Sequence, residues 1–120
     1  MKTSLDIQIG GNHYKGFVYQ PVQFSVDMCL NFIQGNIVKY VSRYKNKNGN
    51  EDLKKVMHYA QLGVELSPTN FCLFNRVNEK VDEFIKKNKM TDTVGEIVKA
   101  ACYQDWIKVT VEVKKIYEYD

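Results

Sequence analysis

Lys39 and Arg43 lie four residues apart in a segment, GNIVKYVSRYK, whose apolar residues recur at helical spacing. Two cations at i and i+4 on one helix face stand about 5–6 Å apart at Cβ and repel mildly unless an anion or carboxylate sits between them. An arginine offers a planar fork and a lysine a compact point charge, a pairing suited to phosphate oxygens. Asn36 falls on the same stripe and adds an amide near the expected helix start, where backbone N–H groups lack intrahelical partners. Such a face can hold a phosphate. A solvated basic surface is the plainer reading of the same residues.

Two further groups could join that chemistry. Glu51 and Asp52 open the next helical pattern, where acids complement the helix dipole; they are also candidate Mg²⁺ ligands, since a nucleotide's metal takes one or two carboxylates beside its phosphate oxygens. Asp52, Lys55 and Tyr59 share one side of that helix, with His58 adjacent. Upstream, Gly10 to Gly16 (GGNHYKG) contains Asn12, His13, Tyr14 and Lys15 between glycines that let backbone approach a ligand. The segment reads as a lid, with Tyr14 able to stack on a base. Gly11 and Gly16 have the gap of a phosphate-binding loop, but Phe17 and Val18 stand where that loop needs Lys and then Ser or Thr, which excludes a Walker A site. No nucleophile elbow, dinucleotide fingerprint or E-x-x-E carboxylate pair occurs.

Charge concentrates in the same region. Residues 35–55 hold six lysines and arginines against two acids, while basic and acidic residues nearly cancel elsewhere. A compact cationic cluster suits a small anion better than a nucleic-acid duplex, which calls for many phosphate contacts along a face. With 44% hydrophobic and 26% charged residues, the 120-residue chain has the composition of one folded domain. No apolar run reaches the roughly 20 residues of a membrane span, and the N-terminus lacks an export-type apolar core. Cys29, Cys72 and Cys102 are far apart and flanked by apolar residues, so reduced core thiols are expected.

The elements that must position these residues read as all-α: a small helical bundle with an extended N-terminal arm. Ser4 to Ile9 alternates polar and apolar residues, which permits a short strand. A first helix is predicted from Pro21 through Gln34, with Val22, Val26, Cys29, Leu30 and Ile33 inward and a break at Gly35–Asn36. A second covers about 36–45, with Ile37, Tyr40, Val41 and Tyr44 as its apolar stripe. The turn NKNGN follows, and Asn50 is expected to cap a third helix with Leu53, Val56, Met57, Ala60 and Val64 inward. After a break at 67–70, helices are predicted over about 71–88, from Thr91–Asp92 to Cys102, and over about 104–117.

The blocks GGNHYK, a QP helix start, GNIVKYVSRYK and EDLKKVMHYAQ, in this order and spacing, resemble a small phage protein family known as SaV-like, over about residues 10–66. The family's named activity is that of a nucleoside monophosphate kinase without a Walker A loop, assembled as a large oligomer. The resemblance implies a nucleotide-binding part at 1–66 and marks Gln20 and Tyr40 as ligand-binding positions besides His13, Tyr14, Lys15, Asn36, Lys39, Arg43, Lys55 and Tyr59, with Glu51 and Asp52 toward Mg²⁺. It also implies a homo-oligomer in the cytoplasm of an infected bacterial host. Residues 67–120 lie outside it and read as a helical extension of the same domain. The expected function is nucleoside monophosphate kinase-like phosphoryl transfer; the alternative, from a basic, aromatic pocket with no evident catalytic base, is a non-catalytic sponge that sequesters a nucleotide immune signal, such as a cyclic nucleotide or an ADP-ribose derivative, against host anti-phage defence.

Overall fold

The computed structural model describes residues 3–9, 11, 14–66 and 74–118. Asn12 and His13 of the predicted lid, and Cys72, lie outside them. Among the described residues the chain is all-α, with no strand, and no helix is long and apolar enough to cross a membrane. The helices are α1 (Pro21–Asp27), α2 (Phe32–Arg43), α3 (Asn50–Leu66), α4 (Phe74–Lys87), α5 (Asp92–Cys102) and α6 (Trp106–Lys114).

The arm is not a strand at Ser4–Ile9. Thr3 and Asp6 form a capping box around a 3₁₀ turn at Ser4–Asp6: the Thr3 hydroxyl accepts from Leu5 N, and the Asp6 carboxylate accepts from Thr3 N at 2.7 Å. A local side-chain partner satisfied the backbone more cheaply than an unpaired strand edge would have.

The first helix is shorter than its periodicity suggests, and the break precedes Gly35–Asn36. Asn31 and Gln34 make a reciprocal capping box that starts α2, so Gly35 and Asn36 lie inside it. Cys29, at φ 53°, ends α1 in the left-handed conformation; its N–H bonds Val26 O and that of Leu30 bonds Ser25 O, the paired closure of a Schellman motif. This places Cys29 at an exposed turn rather than in the core. With the helix cut there, its inward face is Pro21 and Phe24, continued by Met28, while Val22 and Val26 are exposed.

Lys89 (φ 53°) and Gln104 (φ 60°) close α4 and α5 in the same way. A side chain there costs about 1–2 kcal/mol, partly offset because glycine is more disordered when unfolded. Lys89→Gly is therefore expected to raise stability by about 0.5–1 kcal/mol, read as a higher urea midpoint at constant slope.

The buried cluster runs from Tyr19 to Val113 and draws on both the front segment and the helical remainder. Phe24 and Phe84 stack at 4.1 Å and 13°, and Tyr19 meets both edge-on. Gln34 Nε2 donates to the Ala101 and Cys102 carbonyls, joining α2 to the end of α5. Cys102 is the core thiol the sequence suggests, and burial pushes its pKa up to about 12. Asn50 does not cap α3 with its side chain; the amide exchanges hydrogen bonds with the backbone of Glu118 and ties the C-terminal segment to the α3 start.

On α3 the inward position is Gly63 rather than Val64, which is exposed. A Cβ on Gly63 would stand 2.5 and 2.6 Å from the Trp106 ring atoms Cδ2 and Cε2. Trp106 thus begins the inward face of α6, which Val109 and Val113 continue while Ile107 is exposed, and the helices meet through a missing side chain. Gly63→Ala is expected to destabilise by about 1–3 kcal/mol, with a lowered melting temperature and altered tryptophan emission.

Candidate nucleotide site between the arm and helices α1 to α3

Asp52 is fully buried at the start of α3, and Arg43, 8% exposed at the end of α2, closes on it. The Arg43 fork donates from Nε to Asp52 Oδ2 and from Nη2 to Oδ1, each at 3.2 Å. The intervening turn, with Gly49 at φ 54°, folds the chain back so that residues nine apart in sequence pair. Lys55 Nζ approaches Asp52 Oδ1 at 3.9 Å. The third guanidinium nitrogen, Nη1, donates to the Tyr14 hydroxyl at 3.4 Å and holds the arm against the bundle.

Burial works against the charge on Arg43, but the Asp52 carboxylate and the Tyr14 hydroxyl more than offset it and hold its pKa above the ordinary value. Burial likewise raises the Tyr14 pKa, with Arg43 opposing. The phenol is therefore protonated at neutral pH.

Tyr40 organises the cations. Arg43 Cζ lies 4.6 Å from its ring centroid, Lys39 Nζ 4.8 Å and Lys55 Nζ 4.9 Å. Cation–π attraction gathers three positive groups that would otherwise repel. One carboxylate, Asp52, is paired with two of them, so the cluster keeps an excess of positive charge. The aromatic row continues outward: Tyr59 lies nearly parallel to Tyr40 at 6.1 Å, and Phe32 meets Tyr59 edge-on at 6.1 Å.

Beside this cluster opens a cavity of about 310 Å³ under the arm. Tyr14, Gln20, Asn36 and Lys39, all expected ligand positions, line it together with Phe32 and Val22. Gln20 donates its amide to the Leu5 carbonyl, fixing the 3₁₀ turn over α1. Asn36 donates to Phe32 O at 2.8 Å, which turns its amide back onto α2. The walls are chiefly apolar, Lys39 carries the charge, and the size sits at the lower end for small-molecule sites.

The structure thus brings together Tyr14, Gln20, Asn36, Lys39, Tyr40, Arg43, Asp52, Lys55 and Tyr59. Lys15 and Glu51 are exposed and take no part in these contacts. Phe32 escaped the sequence reading: it is 75% exposed at the cavity wall, yet a helix drawn through 21–34 makes it an ordinary helical residue. The Asn31–Gln34 spacing was the available signal that Phe32 begins a helix.

Asp52 does not suit a protein-held metal, because both its oxygens accept from Arg43. Among the described residues no group of three or more His, Cys, Asp or Glu is placed to hold an ion. A magnesium ion would accompany a nucleotide through the nucleotide's own phosphates.

No curated protein and no solved structure matches the chain. Residues 10–61 match a family profile described as a protein of unknown function, DUF3310, a span that includes every candidate ligand position and stops short of α4 to α6.

Proposed function

We propose that this protein binds a nucleotide or nucleotide-derived small molecule, its base or other flat apolar part in the cavity beneath Tyr14 and against Phe32, its phosphate toward Lys39 and Lys55. The observation that carries this reading is the juxtaposition of a mainly apolar cavity with an excess-cation cluster built around one aromatic ring. A base asks for the first and a phosphate for the second. Arg43 is committed to Asp52 and serves as the frame, so the lysines supply the mobile charge.

The resemblance to a kinase-containing phage family points to phosphoryl transfer. The donor set favours holding: Asp52 is locked by Arg43, and among the described residues no second carboxylate makes contact with it to serve as a base. Sequestration of a nucleotide signal is therefore the reading we favour over kinase-like transfer. A neighbouring subunit covering the open side of the cavity would suit either. The separating experiment is to incubate the purified chain with ATP, Mg²⁺ and a nucleoside monophosphate, denature it and weigh the released nucleotides by mass spectrometry. Release of the unchanged nucleotides is expected; a product differing by one phosphoryl group, absent in Lys39→Gln, would establish transfer instead.

A further inference from the structure

A second set of hollows lies across the arm from the first. The Tyr14 and Phe17 rings are 6.2 Å apart, and Phe17 N donates to Tyr14 O at 3.1 Å, so one turn presents Tyr14 to the first cavity and Phe17 to the other side. There Phe17, Asn46, Asn88 and Lys89 line two adjoining spaces of about 340 and 170 Å³, between the Tyr44–Asn46 turn and the α4–α5 connection. Asn88 is a fixed wall, since its amide exchanges hydrogen bonds with both backbone groups of Tyr19.

Three features at this place have no use in the first site. Lys45, Lys87 and Lys89 line it without any lining acid. Lys87 pairs with Glu83 at 3.5 Å, whereas neither Lys45 nor Lys89 has a carboxylate partner among the described residues. The smaller hollow has an apolar floor that includes Val41, Met90 and Val94. Ser42 also lines that hollow, its hydroxyl oxygen buried beneath the surface with no hydrogen-bond partner among the described residues.

We propose that these hollows form a second binding site, for a small organic phosphate. Its phosphate sits at Lys45 and Lys89, and its body lies on Phe17 and Met90. Phosphate is preferred to carboxylate because the lining charges are lysine point charges with no arginine fork for a planar group. The site stands apart from the nucleotide reading and meets the first cavity only through the Tyr14–Phe17 turn.

The test uses the full ¹⁵N-labelled chain titrated with phenyl phosphate, with phenol and inorganic phosphate as separate arms. Saturable amide shifts at Phe17, Lys45, Asn46 and Lys89 are expected, with each half-ligand at least tenfold weaker. The pair Lys45→Gln with Lys89→Gly should weaken phenyl phosphate at least tenfold, and glycine at position 89 suits the backbone, so folding is preserved. Lys39→Gln should leave these shifts intact. Shifts confined to the surroundings of Phe32 and Lys39, unsaturable shifts spread over all lysines, or parental affinity in the double variant would each overturn the proposal; the first of these would favour the first cavity, and the other two leave its nucleotide untouched.

Discussion

Replacing Asp52 with alanine is expected to cost about 3–5 kcal/mol, because removing one partner of a buried ion pair leaves the other uncompensated. The loss falls on Arg43, whose fork spends two of its donors on Asp52 and is itself almost fully enclosed. It also leaves Arg43, Lys39 and Lys55 around Tyr40 with no acid between them. Against the 5–15 kcal/mol that typically separates folded from unfolded domains, this is a large share. Chemical denaturation measures it. The variant should also regain stability on addition of phosphate, which takes the place of the lost carboxylate; the parent should gain less. Changing both partners to well-packed apolar residues, Arg43→Met with Asp52→Leu, should recover much of the single-variant loss while removing the link to Tyr14.

Phe84→Ala is the second large expectation, at about 3–5 kcal/mol for deleting a fully buried aromatic ring. Phe84 stacks on Phe24 and receives Tyr19 edge-on, so its removal takes away two aromatic contacts as well as area. The effect reaches the site through Tyr19. Its ring packs on Phe84, its hydroxyl donates to Asp27, and its N–H donates to Asn88 at 3.1 Å. With Phe84 gone, the Tyr19 amide should exchange with solvent faster by at least the factor of the global destabilisation, and the arm that carries Tyr14 should loosen with it. Chemical denaturation and amide exchange of the folded protein give both numbers.

The helical class and most helix positions were legible because amphipathic spacing and caps carry that information locally. Thr91 and Asp105 cap α5 and α6 where the pattern changes. What misled was local competition. Asn31 with Gln34 outweighed Gly35 as a boundary, since two reciprocal hydrogen bonds stabilise a helix start and one glycine within a helix costs only about 1 kcal/mol. Non-glycine residues at left-handed closures, Cys29 among them, gave no glycine to read.

In the site, the Lys39–Arg43 face and the Asp52–Lys55–Tyr59 side were visible as helical stripes. Their joining was not: the pairing of Arg43 with Asp52 depends on the turn between α2 and α3 and turns a candidate metal ligand into the anchor of a guanidinium. Tyr40 falls on the apolar stripe and packs against the core, and the resemblance marks it as a ligand position as well. Its partly exposed ring also serves the cations.

An apolar cavity and a cationic cluster acting together on one phosphate-bearing ligand is what binding measurements must bear out. Calorimetric titration of the full chain with a panel of nucleoside monophosphates, diphosphates and cyclic nucleotides tests it most directly, with the Lys39→Gln, Lys55→Gln double variant alongside. Each charged hydrogen bond contributes about 1.5–3 kcal/mol, so the variant should bind at least tenfold more weakly. Saturable binding of at least one of these nucleotides is expected, with the free nucleoside far weaker. Equal affinity of parent and variant, or no binding across the panel, would contradict it.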